Sequence, residues 1–161
     1  MIKMITVDGF YSRDEALRLA NAVWDLSFVE SELGKQIENF NLTPGEPDAL
    51  FSKVLRFPVT LDERSGVFRF PKLFIHFEGF DNSQEWCFVV ALQASTFNVF
   101  QHKSGAKSAL DGHQFSYRNL LEWDLTVNYL LEPGQGIFFR PWLFHAFDSG
   151  LVQIFRLSEN V

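Results

Sequence analysis

Hydrophobic and polar positions follow one rhythm before residue 66 and another after it. The run 2–7 alternates as a short strand and is stopped by Asp8-Gly9. Ser12 then stands three residues before Glu15, the spacing at which a hydroxyl and a carboxylate satisfy the first free amides of a helix. Ala16, Leu17, Ala20, Val23 and Trp24 recur at three- and four-residue steps, so a helix over 12–25 with one apolar face is predicted. A weaker helical pattern covers 30–37, and Asn, Pro and Gly mark 39–47 as a loop. Beyond Ser65-Gly66 the chain breaks into β-prone runs at 67–70, 73–80, 85–93, 96–101, 125–131, 137–139 and 151–157. Pro71, Asp81-Asn82, Ser104-Gly105, Pro133-Gly134 and Ser149-Gly150 separate them. About eight strands after a helical layer predict a mainly β, α+β fold: a double-sheet jelly roll with N-terminal helices packed on one sheet. One domain over 1–161 is expected, with 1–65 as the strand and helical layer and 66–161 as the roll, and there is no internal repeat.

Composition narrows the class. A hydrophobic fraction of 47% against 21% charged residues supports a packed interior and excludes wholesale disorder. Nineteen of the 161 residues are Phe, a bias that suits layered sheet packing. A net charge of -6 argues against nonspecific grip on nucleic acid or anionic lipid, since both need clustered positive charge. The single cysteine, Cys87, rules out an internal disulfide and a Cys-based zinc site. The opening apolar run ends too soon at Asp8 for a signal peptide, and no run reaches the ~20 residues of a membrane span. These features point to a soluble protein of the cytoplasm, in which the sequon at Asn41 is a chance match.

Four placements carry candidate chemistry. In a strand through Phe74-Ile75-His76-Phe77-Glu78, His76 and Glu78 share one face while Ile75 and Phe77 take the other. Donors two residues apart on a strand stand roughly 6 to 7 Å apart at the backbone and can converge on one ion. A solvated face carrying one His and one Glu by chance gives the same local pattern. His145 follows a turn, the apolar run 137–139 and the restrictive Pro141-Trp142, which places its imidazole at a strand start. A core histidine with satisfied nitrogens is its structural counterpart. In the run 152–158, alternation sets Val152, Ile154, Arg156 and Ser158 on one face, so a permanent cation lies on an apolar wall and needs an anion. That anion is either an internal carboxylate or a ligand carboxylate taken bidentately by Arg156, with Ser158 adding a hydrogen bond. Two imidazoles and one carboxylate together make the facial triad that suits Fe(II) and leaves three positions open. His102 and His113 flank the polar segment 103–112 and read as solvated, Cys87 reads as a small core hydrophobe, and Trp86, Trp123 and Trp142 read as core or pocket-lining aromatics.

This constellation resembles the iron(II)/2-oxoglutarate-dependent oxygenases, which are built on a double-stranded β-helix, and within them the prolyl-hydroxylase-like branch. His76-Phe77-Glu78 is similar to their His-x-Asp/Glu element, His145 lies 69 residues after His76, and Arg156-Leu157-Ser158 begins 11 residues after His145. The approach through Pro133-Gly134 and Phe139-Arg140-Pro141 to His145 is similar to the segment of that branch before its second His. Glu78 stands where the family more often has Asp, and the short chain leaves little beyond the roll for a substrate lid. The resemblance implies that His76, Glu78 and His145 hold Fe(II). It further implies that Arg156 and Ser158 bind the C5 carboxylate of 2-oxoglutarate as co-substrate, and that its decarboxylation to succinate accompanies oxidation of a second substrate. Two alternatives stand beside it: a cupin-type metal protein that does not use 2-oxoglutarate, and a non-catalytic β-roll binding module. The expected partner is a small-molecule or peptide substrate, with no nucleic acid or membrane indicated. Its determinants are expected in the loops 39–47 and 103–117.

Overall fold

The reciprocal cap predicted at the start of the first helix is present: Ser12 N–H donates to Glu15 Oε1 at 2.9 Å, and Glu15 N–H donates to Ser12 Oγ at 3.1 Å. Such caps contribute about 1 kcal/mol. The structure, a computed structural model, describes residues 4–24, 29–31, 34–38, 47–69, 73, 75–148 and 150–160. Its elements run β1 (Ile5–Val7), α1 (Arg13–Trp24), β2 (Val29–Ser31), β3 (Gly34–Glu38), α2 (Pro47–Leu55), β4 (Val59–Arg69), β5 (Glu85–Ala91), β6 (Ser95–His102), β7 (Trp123–Leu131), β8 (Gly136–Phe139), β9 (His145–Asp148) and β10 (Leu151–Glu159), with a 3-10 turn at Leu120–Glu122. Among the described residues the strands form one sheet in the order β1-β8-β5-β10-β4-β3-β2 and a second in the order β7-β6-β9, with antiparallel neighbours throughout. This strand-rich pair of facing sheets is the jelly roll that the turn spacing predicts.

Alternation along β10 divides the interior in two. Leu151, Phe155 and Leu157 point to the helix-covered side, where Ala16, Ala20, Val23, Phe51 and Leu55 meet them. There Phe51 lies 5.2 Å from Phe88, 5.8 Å from Phe138 and 5.2 Å from Phe155, so the excess of Phe is spent filling the wide gap between helix and sheet. Leu17, which periodicity places with them, is 37% exposed. Val152 and Ile154 point the other way, into the space between the sheets, with Val89, Phe97, Phe139, Leu143 and Phe147. Arg156 continues that inter-sheet row.

Several elements differ from the sequence reading. The helical pattern at 30–37 is a β2–β3 hairpin, because pairing of β3 with β4 from Lys35↔Arg69 to Glu38↔Gly66 overrides local propensity. Residues 39–46 of the expected loop lie outside the described residues, and Pro47 opens α2, which the apolar pattern does not announce. β4 begins at Val59, so the sheet reaches into the segment read as the helical layer. Among the described residues of the run 73–80 there is one bridge, at His76, rather than a full strand, and β9 is an additional short strand. No helix among the described residues is long and apolar enough to cross a membrane.

The turn between β7 and β8 ties the N-terminal segment to the roll. Gly134 N–H donates to Ala91 O at 2.8 Å, and Gly134 O accepts from Tyr11 N–H at 3.3 Å. Its φ of +94° is left-handed, and a Cβ there would lie 2.3 Å from Tyr11 O. Gly134→Ala is expected to lower stability by about 3 kcal/mol or more, read as a reduced midpoint with unchanged slope in urea denaturation.

Candidate metal centre

His76 and His145 are joined backbone to backbone. Each donates its N–H to the other's carbonyl at 2.9 Å, an antiparallel bridge that extends the β7-β6-β9 sheet by one residue. Residues directly opposite in such a bridge present their side chains on the same face, and the two imidazole centroids lie 4.3 Å apart. That face looks into the inter-sheet space, where Phe139, Phe97 and Phe147 stand 4.8, 5.5 and 5.5 Å from the His145 ring. Glu78, two residues on, returns to the same face as predicted, and its N–H donates to Pro141 O at 2.7 Å.

The turn 140–143 orients both halves of the group. Leu143 N–H closes it on Arg140 O at 3.1 Å, and Leu143 O lies 2.7 Å from His145 Nδ1. A carbonyl only accepts, so Nδ1 carries the proton and Nε2 of the neutral ring keeps its lone pair. Burial, with the neighbouring His76, pushes the His145 pKa down and keeps the ring neutral. His145 Nε2 is buried without a hydrogen bond and stands 3.5 Å from Glu78 Oε1, while His76 Nε2 stands 3.2 Å from the same oxygen. A buried nitrogen lone pair facing a carboxylate oxygen calls for a cation between them. Bonds of about 2.1 Å meeting at right angles separate neighbouring ligand atoms by about 3 Å, close to the spacings found. His76, Glu78 and His145, whose donor atoms all lie within 4.8 Å of one another, therefore fit a divalent metal of the Fe(II) type.

Arg156 reaches the same carboxylate from the facing sheet. The ladder between β10 and β4 shifts register between Ile154 and Arg156, and Arg156 N–H is taken by Ser65 Oγ at 3.0 Å. Its Nη1 lies 3.9 Å from Glu78 Oε2, and Nη2 donates to Gly79 O. The side chain is 12% exposed, so the cation expected on an apolar wall is there, beside the paired imidazoles. Ser158 lies two residues further along, opposite Thr60 and Glu85 in register.

The remaining candidates stay apart. His102 stacks on Phe115 at 3.9 Å and meets Ser104 and Glu122, while the His113 ring lies 5.9 Å from Phe77. Cys87 is buried, with Arg156 and Phe139 as its register partners. Arg140 holds the orienting turn from outside. It donates to Ser83 O at 3.1 Å, to Glu85 O at 3.0 Å and to Glu159 Oε1 at 3.2 Å, and its guanidinium covers Trp86 at 3.7 Å. Sequence reasoning does not single out this residue or the carbonyls of Pro141 and Leu143; the only signal is the restrictive Pro141.

The structure of HygX from Streptomyces hygroscopicus with nickel and 2-oxoglutarate bound matches with a TM-score of 0.65 at 11% identity, over 99% of this chain and 84% of that one. The non-heme alpha-ketoglutarate-dependent epimerase SnoN from nogalamycin biosynthesis matches at 0.64 and 15% identity, over 97% and 78% of the two chains. The alpha-ketoglutarate-dependent carbocyclase SnoK matches at 0.67 and 11%, over 97% and 79%. The chain has the fold of the 2-oxoglutarate-dependent enzymes. No protein-family model matches it, and no curated protein does. Within this fold the neighbours carry more than one kind of reaction, so the likeness speaks for the scaffold and the site must speak for the chemistry.

Glu78→Ala removes the only carboxylate of the group. Its Fe(II) affinity is expected to fall about a hundredfold or more in anaerobic equilibrium titration, with the β-sheet circular dichroism retained. Wild-type affinity in the variant would eliminate Glu78 as a ligand.

Proposed function

We propose that the protein is an Fe(II)/2-oxoglutarate-dependent oxygenase, with His76, Glu78 and His145 as metal ligands and Arg156 with Ser158 as the anchor for the C5 carboxylate of 2-oxoglutarate. The observation that carries this reading is the meeting of two imidazole nitrogens and a carboxylate within 4.8 Å, with a guanidinium 3.9 Å from the second carboxylate oxygen. The net reaction is hydroxylation: a substrate C–H, O2 and 2-oxoglutarate give C–OH, succinate and CO2. Substrate and 2-oxoglutarate each supply two of the four electrons that O2 accepts.

When bound, the metal supplies coordination of the co-substrate and the activation of oxygen, chemistry that no side chain here provides. The chain's part is geometry, dryness and charge. His145 is kept in one tautomer by Leu143 O, so its Nε2 is always the free donor. Phe97, Phe139 and Phe147 shield the imidazole from water and hold the local dielectric low. Arg156 offers a planar fork on an otherwise apolar wall, suited to bidentate capture of a carboxylate. The net charge of -6 does not repel the dianion decisively, since a dispersed surface field is screened within about 8 Å at physiological salt.

The contacts of Arg156 with Glu78 and Gly79 favour a second reading, in which the guanidinium serves only to neutralise Glu78 and 2-oxoglutarate is not used. One titration separates the two. Anaerobic addition of Fe(II) and then 2-oxoglutarate is expected to raise the weak visible charge-transfer band of the chelate, and Arg156→Ala to weaken 2-oxoglutarate binding about 10- to 100-fold while Fe(II) affinity is kept. No band in folded, Fe(II)-loaded protein, or parallel loss of both affinities, would overturn the first reading.

A further inference from the structure

The two chain segments that carry the triad are tied to each other by one guanidinium. Arg140 lies five residues before His145, and its Nη1 donates to Ser83 O at 3.1 Å and to Glu85 O at 3.0 Å, five and seven residues after Glu78. Its Nη2 donates to Glu159 Oε1 at 3.2 Å, an oxygen that also accepts from Trp86 Nε1 at 2.7 Å. The guanidinium lies 3.7 Å over the Trp86 ring and 5.5 Å from the Trp142 ring. A planar, permanently charged fork can serve two carbonyls, a carboxylate and an aromatic face at once, which a single ammonium cannot.

The links from this clamp to the ligands are short. Asp81 N–H and Asn82 N–H donate to Glu85 Oε2 at 2.7 and 3.4 Å, so the stretch from Glu78 to Glu85 is folded back on itself. Glu78 N–H donates to the carbonyl of Pro141, the residue next to Arg140, at 2.7 Å. On the other segment Arg140 O accepts from Leu143 N–H at 3.1 Å, and Leu143 O takes the Nδ1 proton of His145 at 2.7 Å. Arg140 thus acts on Glu78 and on His145 through backbone alone. Its guanidinium is 22% exposed, and burial works against its charge, a cost that Glu159 offsets.

We propose that Arg140 is a positioning residue of the metal centre: by cross-linking the two segments it fixes Glu78 relative to His145, keeps His145 in its Nδ1–H tautomer, and so sets the affinity for the metal. The effect on affinity rests on the metal-centre reading above; the effect on the tautomer does not. Loss of one outer partner of a ligating histidine typically lowers metal affinity 10- to 100-fold, and here a single side chain supports two ligands.

The test compares wild type, Arg140→Met, Arg140→Lys and Phe51→Leu, the last a destabilising change in the helix-side cluster, remote from the clamp. Metal-free protein labelled with 15N-histidine reports the tautomer by NMR, anaerobic titration reports Fe(II) affinity, and urea denaturation reports stability. Wild type is expected to show His145 as the Nδ1–H form only. Arg140→Met is expected to mix the two tautomers and to lose about a hundredfold in Fe(II) affinity, and Arg140→Lys, which keeps the charge but not the fork, about tenfold. Phe51→Leu is expected to lower the urea midpoint and leave tautomer and affinity as in the wild type. If Arg140→Met does not fold, Arg140→Lys decides on the same two readouts. Where the wild type binds Fe(II), a folded Arg140 variant with undiminished affinity would overturn the proposal. A single His145 tautomer in that variant, or mixed tautomers in wild type or Phe51→Leu, would overturn it equally. An Arg140-dependent tautomer in protein that binds no Fe(II) would uphold the positioning of His145 and overturn the metal-centre reading instead.

Discussion

The two reciprocal N–H to carbonyl hydrogen bonds between His76 and His145 hold together what the rest of the molecule arranges. Residues 69 positions apart in the chain become direct neighbours through them, and the pairing decides which way both imidazoles point. A strand has a period of two, so a slip of one residue on either side would turn a ring from the inter-sheet space to the opposite face. Glu78 is subject to the same rule, since it inherits its direction from His76. The long β6 contributes by fixing β9: Thr96 through Val99 pair with Asp148 through His145, so the register of the bridge is set by a neighbouring ladder before the histidines meet.

Electrostatics explains why the bridge is accompanied by so specific a turn. A buried imidazole that kept both tautomers would present its lone pair to the carboxylate only part of the time. Leu143 O removes that ambiguity, Pro141 O restrains Glu78, and the guanidinium of Arg140, lying over Trp86, keeps the turn in place. Burial lowers the charge tolerance of Arg140 as well, and Glu159 compensates it. The two arginines thus divide their work: Arg140 sits outside and stabilises the backbone, whereas Arg156 points inward at the carboxylate.

What could be read from the chain beforehand was whatever depends on near neighbours. The Ser12 and Glu15 cap, the shared face of His76 and Glu78, and the row formed by Val152, Ile154 and Arg156 all follow from helical or strand periodicity, and all are present. The β2–β3 hairpin was masked by a local helical pattern that yielded to pairing with β4, a partner some thirty residues away. The convergence of the triad was expected from likeness to a family pattern, since no periodicity links position 76 to position 145. The carbonyls of Pro141 and Leu143 had no signature, because every residue has a carbonyl and only the fold decides which one turns toward a ring.

The lone thiol of the chain carries a separate consequence. Cys87 is fully buried in the middle of its sheet, flanked by Arg156 on one strand and Phe139 on the other. A bulky disulfide reagent reaches it only when β5 parts from β8 or β10, so its labelling rate is a clock for opening of the roll rather than a measure of sulfur reactivity. Because Cys87 packs in the inter-sheet core that the paired histidines face from the other sheet, the protein's own packing is also the shield that keeps oxidants from this thiol.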